Sequence, residues 1–503
     1  MYSSDADQRP RAEERLEVTA DHPASGGQSF SAKVEDHALT PVPLSERKSG
    51  WGLMTNSAGI ASTLVQVAIA AGVTMIAGVG WGILAGVVVA VFGGTLGWLV
   101  GHVAYVSGTS STVTARYYGL GRQGSVLASL IFAFMILGFL ALENALLYYG
   151  TLFMFGWTPT LLNAVLIYGV LTAVWILLTI YGMKVVQRTS IILLIAFVVL
   201  TVTMATVALA NSPLSLGDIL AAGPIGGNGN EMANFGVVIS MLAGSAGALA
   251  LVDADYARYA RSTRDVGILA VGGAIMIDII VVILGAVIVH ASANSVTDFL
   301  TQNTAAAATQ TGDSIAEKVS WMIANNTGAY FIIIFGITGF ILMYVAQVKA
   351  QVLNTYSGSL SLVNLVEGLT GKRPSRLSAV IAGNIVALLM IAGNILGLLG
   401  SFLGILGVST TALAGVIIAD YFIVRKRKPV TGNETEAVNW AGVITVVLAA
   451  VIGSVLTEAR VTPLGFLVSL VIVLVLYPVL RKFVFRAPNY TVEVAETPSR
   501  DLV

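Results

Sequence analysis

The sequence predicts an all-α polytopic membrane protein with twelve transmembrane helices, arranged as two inverted repeats of five helices plus two extra helices. The chain has 503 residues, of which 56% are hydrophobic and 11% charged, whereas soluble domains carry about 25% charged residues. Twelve apolar stretches each approach the roughly 20 residues that span a bilayer. Small and polar residues interrupt the first and the sixth of them, which is typical of inverted-repeat transporters.

The twelve spans divide the chain into three parts. Residues 1–48 are polar with few large apolar side chains, which predicts a disordered tail, and 487–503 form a short second tail. The membrane domain, 49–486, comprises repeat one at about 53–210, repeat two at about 233–423 and the last two helices at about 439–481. The spans are predicted at 53–77, 80–104, 123–149, 160–182, 188–210, 233–254, 265–290, 328–355, 376–395, 397–423, 439–457 and 462–481. Within the long loop after span seven, residues 312–324 are expected to form either a short helix over the entrance or only a connector.

Basic residues give the orientation. With the N-terminus in the cytoplasm, 19 Lys and Arg fall on the cytoplasmic side and two, Lys318 and Arg460, on the other. This follows the positive-inside rule. The sequence therefore predicts a multi-pass protein of the plasma membrane with both termini in the cytoplasm, and it shows no cleavable signal peptide. The 19 are Arg47, Lys48, Arg116, Arg122, Lys184, Arg188, Arg258, Arg261, Arg264, Lys372, Arg373, Arg376, Arg425, Lys426, Arg427, Lys428, Arg481, Lys482 and Arg486.

Spans one and six have unusual centres. Span one carries Asn56, Ser57, Gly59, Ser62, Thr63 and Gln66, and span six carries Ala243-Gly244-Ser245-Ala246-Gly247-Ala248. Small residues have two uses in membranes: they let helices approach closely, or they let a helix unwind and present backbone groups to a solute. Because the two spans hold corresponding positions in the two repeats, we expect both to be broken, with the solute bound where the breaks meet.

Three ionisable residues lie within predicted spans: Glu143 in span three, Asp278 in span seven and Lys349 in span eight. Burying an unpaired charge in the bilayer is costly, so each is a functional candidate. Two structural alternatives stay open: Glu143 and Lys349 pairing only with each other, and Asp278 satisfied by a neighbouring helix.

Other polar residues suggest structural or lining roles. Gln347, Gln351 and Asn354 form one polar stripe on span eight, while Lys349 projects from a different face. Asp253 and Asp255, at the end of span six, are expected to be solvated or to anchor a loop.

Several function classes are excluded by what the sequence lacks. The chain has no cysteine, and its four histidines are scattered without metal-ligand spacing. No nucleophile–base arrangement is present, so we expect neither an enzyme nor a bound cofactor or metal, and no nucleic-acid partner. A channel is disfavoured because no filter motif appears, and a receptor because no folded extramembrane domain is visible.

Five segments of the sequence form a recognisable set of motifs from about residue 41 onward. They are Pro41-Val42-Pro43-Leu44-Ser45-Glu46-Arg47, Thr114-Ala115-Arg116-Tyr117-Tyr118-Gly119-Leu120-Gly121-Arg122-Gln123-Gly124-Ser125, Asp253-Ala254-Asp255-Tyr256-Ala257-Arg258-Tyr259, Asn354-Thr355-Tyr356-Ser357-Gly358-Ser359-Leu360 and Gly415-Val416-Ile417-Ile418-Ala419-Asp420-Tyr421-Phe422. Each motif alone is loose, but five in the right order are fairly specific. Together they resemble the nucleobase:cation symporter family 1, in its purine–cytosine permease branch.

The resemblance implies a LeuT-type fold and cation-coupled uptake of purines, cytosine, uracil, allantoin, hydantoins or related vitamins. It implies a solute site between spans one, three, six and eight. The family's aromatic residue and amide on span three match Phe139 and Glu143, its amide on span eight matches Asn354, and its amide on span one matches Gln66. The full set of expected solute-binding residues is Gln66, Phe139, Glu143, Ser245, Gly247, Gln351 and Asn354.

Two positions depart from the family pattern. Span six has only small residues from Gly244 to Ala248 where some relatives carry a stacking aromatic. The span-eight positions that help bind sodium in some relatives fall near Val348 and Lys349, so an ammonium group is expected in the place of the cation. This favours proton symport over sodium coupling, with Lys349, Glu143 or Asp278 titrating. A permease of the same fold for a vitamin, amine or amino acid is the alternative.

Overall fold

The computed structural model describes residues 41–181, 183–224, 230–428 and 435–486. Within these residues the chain is helical, apart from loops and one isolated bridge between Lys48 and Ala260. Most of the two predicted tails, 1–40 and 487–503, and the side chains of Lys184 and Arg188 lie outside the described part. The described residues all belong to one compact unit, which contains the membrane domain.

The helices are numbered in chain order. They are α1 Gly50–Ala61, α2 Leu64–Ala77, α3 Val79–Ser107, α4 Ser111–Tyr117, α5 Val126–Phe155, α6 Leu161–Tyr181, α7 Met183–Ala210, α8 Leu216–Leu220, α9 Glu231–Ala257, α10 Thr263–Gln302, α11 Thr304–Ala308, α12 Ile315–Asn325, α13 Thr327–Phe335, α14 Ile337–Thr370, α15 Arg376–Ala392, α16 Leu399–Val424, α17 Trp440–Glu458 and α18 Gly465–Phe483. Helix α10 contains a π-helical segment, Ile275–Val281. The helix predicted within 312–324 is α12.

Each of the twelve predicted spans corresponds to a helix or a helix pair. In the described residues nine helices are long and apolar enough to cross a bilayer, and α1 with α2 makes a tenth span, bent by 75°. The other two are α14, whose apolar character is lowered by its polar stripe, and α15, which has 17 residues. The all-α, multi-pass architecture is therefore confirmed.

Span eight begins later than the sequence predicts. The predicted stretch, 328–355, is divided by Gly336, which has a φ of 57° and ends α13. Glycine adopts this left-handed region without the steric cost that other residues meet. Helix α14 then runs on to Thr370, so the span is longer and shifted toward the C-terminus.

Span one is broken, as predicted. Helix α1 ends at Ala61, Ser62 and Thr63 leave the helical conformation with ψ of 77° and 169°, and α2 starts at Leu64. The Ser62 hydroxyl donates to the Ala58 carbonyl at 2.5 Å. Serine side chains that bond to the backbone in this way compete with helix geometry.

Span six is not broken, so the prediction of a second interrupted helix is wrong. Helix α9 is continuous through Ala243–Ala248. A Cβ at Gly244 would lie 2.3 Å from the Leu403 carbonyl oxygen of α16, and a Cβ at Gly93 of α3 would lie 2.8 Å from that of Ala246. The small residues therefore serve close helix packing, the other use that the sequence allowed.

The start of α1 is fixed against the end of α9 and the start of α10. The Gly50 amide donates to Asp265 Oδ1 at 2.7 Å, and the Lys48 amide donates to the Tyr259 carbonyl at 2.7 Å. Asp255 accepts from the Ser111 amide at 2.7 Å, so its predicted loop-anchoring role is confirmed. The end of the bundle that carries Lys48, Gly50, Ser111, Tyr259 and Asp265 is called here the α1 face.

Asp253 does not have the solvated position expected for it. Its side chain is buried and accepts a hydrogen bond from the Ser57 hydroxyl of α1. Its place near the end of α9 suggested exposure, but α1 and α3 cover it. Gly97 of α3 makes room, because a Cβ there would lie 3.1 Å from Asp253 Oδ2.

Candidate solute-binding site

A cavity lies where α1 gives way to α2, enclosed by α5, α9 and α14. The non-atom space there, counted together with open solvent at its mouth, is about 420 Å³. The break in span one thus opens onto the inside of the bundle rather than onto its outer surface. The residues that line it are Ala61, Thr63, Gln66, Met135, Ile136, Phe139, Glu143, Ser245, Ala248, Leu249, Val252 and Asn354.

Five of the seven predicted solute-binding residues meet at this cavity: Gln66, Phe139, Glu143, Ser245 and Asn354. They come from four helices that are far apart in sequence. Spacing along a helix cannot produce such a meeting by itself, so it supports the pairing of spans one, three, six and eight in this fold. The remaining two predicted residues, Gly247 and Gln351, are not among the lining residues.

Glu143 is the one ionisable side chain among the described residues that line the cavity. It is 2% exposed, and its Oε2 accepts from the Asn354 amide at 3.3 Å. This contact joins spans three and eight at the cavity wall. A carboxyl group that faces a small buried space is a strong acceptor for any solute with N–H groups on its edge.

A second polar contact joins the broken helix to the continuous one. Gln66 Nε2 of α2 donates to Ser245 Oγ of α9 at 2.6 Å. At the same place α2 begins without a side-chain cap from Thr63. The first amides of a helix have no partner within it, so the start of α2 supplies hydrogen-bond donors at the cavity.

The rest of the cavity wall is apolar. Phe139 packs edge-on against Phe402, with ring centroids 5.6 Å apart and an interplanar angle of 86°. This contact holds the Phe139 ring in place beside the cavity. Met135 and Ile136 of α5 and Leu249 and Val252 of α9 complete the wall.

Gln351 has a structural position that the sequence did not indicate. Its Nε2 donates to Asn144 Oδ1 at 2.7 Å and to the Leu140 carbonyl at 3.2 Å. The same Asn144 oxygen accepts from Trp175 Nε1 at 2.9 Å. Gln351 therefore ties α14 to α5 beside the cavity, and the expectation that it lines the cavity is corrected.

Gly247 serves packing. A Cβ at this position would lie 2.3 Å from Thr410 Oγ1 of α16. Gly247 lies on a different face of α9 from its neighbours, because Ser245 and Ala248 line the cavity while Gly247 faces α16.

Lys349 points away from the cavity, toward α1. Its Nζ donates to the Thr55 carbonyl at 3.1 Å, and a Cβ at Gly59 would lie 1.4 Å from the same nitrogen. The side chain is 2% exposed. The expectation that Lys349 and the Gln stripe use different faces is confirmed, and Glu143 and Lys349 contact different partners rather than each other.

Asp278 lies apart from both Lys349 and the cavity. It sits in the π-helical segment of α10, where its backbone packs against Gly86 of α3. Neither carboxyl oxygen has a hydrogen-bond partner among the described residues. The alternative in which a neighbouring helix satisfies Asp278 therefore finds no support in the described contacts.

The apolar lining was missed by the sequence analysis. Met135, Phe139 and Glu143 recur every four residues on α5, and Ser245, Leu249 and Val252 follow helical spacing on α9. This periodicity marks one face of each helix, and it extends from the polar residues that the sequence analysis did single out. Following this periodicity along α5 and α9 would have identified the apolar residues that line the cavity.

The order of the helices and the break in the first span are those of the LeuT-type fold. The solved structures with this fold bear that out. One is described as the inward-facing conformation of Mhp1, with a TM-score of 0.68, 19% identity, and coverage of 90% of this chain and 94% of that one. Another is Mhp1, described as a nucleobase-cation-symport-1 family transporter in a closed conformation with bromovinylhydantoin bound, with a TM-score of 0.67, 20% identity, and coverage of 91% and 98%.

A more distant structure has the same fold. It is described as the substrate-bound outward-open state of a Na+-coupled sialic acid symporter, with a TM-score of 0.61, 12% identity, and coverage of 92% and 95%. No protein-family model and no curated protein sequence matches the chain. The comparisons therefore confirm the fold that the sequence resemblance implied, and all three structures are of membrane transporters rather than enzymes.

Proposed function

We propose that this protein is a secondary active transporter that takes up a nucleobase or a related heterocycle across the plasma membrane by proton symport. The observation that carries the proposal is the meeting of Phe139, Glu143 and Asn354 at one cavity beside the break in span one.

The cavity offers what a planar polar ring needs. Phe139 can stack on its face, a contact worth about 0.5–1.5 kcal/mol beyond area burial. Glu143 can accept from two neighbouring N–H groups on its edge, as guanine or a protonated aminopyrimidine presents them, and Asn354 can both donate and accept. The amides at the start of α2 add donors for a ring carbonyl.

The comparisons support a cyclic solute and a coupling cation. Mhp1 is described with a hydantoin bound, which is a small planar ring, and the sialic acid symporter is described as Na+-coupled. Because identity is 20% or below, these descriptions support the proposal but do not transfer the solute or the ion to this chain.

Lys349 favours the proton over sodium. Its ammonium group donates to the Thr55 carbonyl of α1, about two turns before the break at Ser62. There the ammonium would compete with any metal ion that used this carbonyl as an oxygen ligand. We propose that proton binding at Lys349, Glu143 or Asp278 replaces sodium binding.

The orientation is also part of the proposal. The α1 face carries Arg47, Lys48, Arg258, Arg261 and Arg264, which the positive-inside rule assigns to the cytoplasm. Both termini are then cytoplasmic. Cysteine labelling of single-cysteine variants in intact cells tests this, since the chain has no native cysteine.

Competition uptake is the direct test of the function. Cells that express the protein are offered a radiolabelled base together with unlabelled adenine, guanine, cytosine, uracil, hydantoin or allantoin, at two pH values, with and without sodium. We expect saturable uptake that one class of ring suppresses, that rises at the more acidic pH and that ignores sodium. Uptake that requires sodium and ignores pH contradicts the coupling, and uptake indifferent to all six rings contradicts the solute class.

Glu143→Gln tests the site. Hydrogen bonds to charged groups contribute about 1.5–3 kcal/mol, so affinity for the preferred base should fall by about ten- to a hundredfold. Asp298→Asn is the matched control, because Asp298 is an exposed acid on α10. Full transport in both Glu143→Ala and Asn354→Ala removes the proposed site.

One observation favours a second candidate of the same fold. Glu143 places a carboxyl where the family resemblance expects an amide, and a carboxylate suits a cationic vitamin or amine. Thiamine and choline therefore belong in the competition panel. Suppression by these cations, with none by the uncharged bases, would favour that candidate.

A further inference from the structure

A groove lies at the end of the bundle opposite the α1 face, between α9, α16 and α17. We propose that it binds a membrane phospholipid with an ethanolamine head group, whose ammonium contacts Glu458 and whose phosphate contacts Arg460. The groove and the solute cavity share no lining residue. The proposal therefore does not depend on which solute or coupling ion the protein uses.

The groove forms where α9 and α16 diverge. Near the middle of the bundle the two helices are in close contact, since a Cβ at Gly244 would lie 2.3 Å from the Leu403 carbonyl oxygen. Toward the start of α16 the space opens, and a Cβ at Gly400 or Gly404 would meet nothing within 4 Å. The groove has a volume of about 620 Å³, which lies within the roughly 300–1,000 Å³ that ligand pockets occupy.

The wall of the groove is apolar where it runs into the membrane. Val237 of α9 and Ile405 of α16 line it and are each 41% exposed. Each lies six residues after the start of its helix, and Met241 lies ten residues after the start of α9, which places them about 9 and 15 Å along the helix axis. Exposed apolar side chains at such a depth face the hydrocarbon of the bilayer. An acyl chain therefore suits this part of the groove.

Three serine side chains line the groove: Ser240, Ser401 and Ser454. A serine or threonine within a helix commonly donates to a carbonyl of the preceding turn. Thr457 of the same groove does so, with its hydroxyl 2.9 Å from the Gly453 carbonyl. We find no hydrogen-bond partner for the three serine hydroxyls among the described residues. They are thus donors for the ester carbonyls that join acyl chains to a head group.

Two opposite charges stand where the groove reaches the end of the bundle. Glu458 is the last residue of α17, and Arg460 follows in the loop to α18. Both are exposed, and neither has an ion pair in the described part of the chain. A guanidinium group binds a phosphate through two parallel hydrogen bonds, and a carboxylate accepts from an ammonium group. An ethanolamine phospholipid carries both partners on one head group.

The backbone of Arg460 supports a role for its side chain. Its φ is 56°, in the left-handed region that glycine usually supplies after a helix end. The turn is fixed by two backbone bonds, from the Arg460 amide to the Thr457 carbonyl and from the Val461 amide to the Leu456 carbonyl, both 3.0 Å long. The chain thus keeps a non-glycine residue in a costly conformation beside the groove, which is typical of ligand sites.

Native mass spectrometry of the purified full-length protein tests the head group. The protein in detergent is titrated with three phospholipids that have the same acyl chains and an ethanolamine, choline or glycerol head group. We expect the ethanolamine lipid to bind most tightly, because choline has no N–H group for Glu458 and glycerol has no positive charge. Arg460→Gln should weaken all three, since each carries a phosphate.

Glu458→Gln gives the sharper result. It should lower the affinity for the ethanolamine lipid by about fivefold, the factor expected for one exposed ion pair, without lowering the affinity for the glycerol lipid. A role of Glu458 in folding alone would weaken the three lipids equally, and that outcome overturns the proposal. Equal affinity of the wild-type protein for the three lipids also overturns it.

Gly400→Leu tests the groove itself, because its side chain enters the space that the acyl chain would occupy. Gly169→Leu is the matched control: Gly169 is exposed on α6, outside the groove, and its Cβ would also meet nothing within 4 Å. A ligand that binds the folded protein raises its unfolding temperature. Added ethanolamine lipid should therefore stabilise the wild-type and Gly169→Leu proteins but not Gly400→Leu.

Size-exclusion chromatography identifies a variant that has failed to fold, and Gly404→Leu then replaces Gly400→Leu. Stabilisation of the groove-filling variant equal to that of the wild-type protein would place the lipid elsewhere and overturn the proposal. Displacement of the lipid by a base of the competition panel would assign the groove to the solute instead.

Discussion

Spans one and six hold corresponding positions in the two repeats, and both are rich in small residues, yet one is broken and the other is continuous. Helix α1 gives way to α2 with a bend of 75°, whereas α9 runs unbroken from Glu231 to Ala257. The difference lies in what surrounds them. Backbone from α16 fills the space beside Gly244, while the break at Ser62 and Thr63 faces a cavity.

The comparison shows that small residues permit a break but do not cause one. At Ser62 a side chain bonds to the backbone carbonyl four residues earlier, and the next residue is fully extended. In α9 the helix keeps its own hydrogen bonds, and the glycines give their space to neighbouring helices. The solute site is therefore asymmetric, because span one supplies both backbone and side chains while span six supplies Ser245 and an apolar wall.

Gly244→Val should have the largest effect on stability, because it disrupts the close packing of α9 against α16. The nearest obstacle to its Cβ is the Leu403 backbone, which cannot rotate away as a side chain can. Overpacking a tight core costs typically 1–3 kcal/mol and occasionally more, so we expect about 3 kcal/mol of lost stability. The measurement is thermal unfolding of the purified protein in detergent.

Gly404→Val is the control for that variant. Gly404 lies on the partner helix α16, and a Cβ there would meet nothing within 4 Å. Its unfolding temperature should stay close to wild type. Equal losses in the two variants would mean that valine in a membrane helix, rather than the α9–α16 contact, sets the cost.

Gly59→Ala should have an intermediate effect, which we expect on the coupling of solute uptake to protons and not on stability. Its Cβ would lie 1.4 Å from Lys349 Nζ, at the end of a flexible side chain, so the lysine moves and the fold survives. If the ammonium at Thr55 is needed for proton coupling, accumulation driven by a pH gradient should fall by about tenfold, the factor that corresponds to a typical coupling free energy. Uptake into proteoliposomes measures it.

Gly52→Ala is the matched control on the same helix. Its Cβ would meet only Ser49 Oγ, at 3.8 Å. Both substitutions gain the same helix propensity, about 1 kcal/mol. A difference between them therefore reports on Lys349. Coupling that is intact in Gly59→Ala would separate the ammonium from the transport cycle.

The sequence could predict the broken helix but not the continuous one. The side chain and backbone of Ser62 and Thr63 interrupt the helix locally. Whether the helix continues at Gly244 depends instead on its contact with Leu403, which is 159 positions away (403 − 244). The same limit applies to Gln351. Its spacing gave the correct helix face, but only the fold shows that Asn144 takes up its amide before any solute can.

The predictions for the acidic residues were also partly right and partly wrong. Glu143 was found from its position within a span and proved to line the cavity, because an unpaired carboxyl in the bilayer needs a polar partner. Asp253 was misjudged because nearness to a span end suggests water, and the covering helices α1 and α3 belong to distant parts of the chain. Local pattern thus finds which residues need an explanation, and tertiary contacts supply it.

The smallest expected effect is the coupling free energy between Gln66 and Ser245, which a double-mutant cycle isolates from all other contacts. Their contact of 2.6 Å is the direct hydrogen bond between the broken and the continuous helix. Gln66→Leu and Ser245→Ala should each lower stability, and the double variant should lose less than their sum by about 1 kcal/mol, the usual net value of such a bond. Chemical denaturation in detergent measures all four proteins. A coupling free energy of zero would mean that the two spans meet at the cavity without supporting each other, and that the break in span one is held open by Ser62 and its own backbone alone.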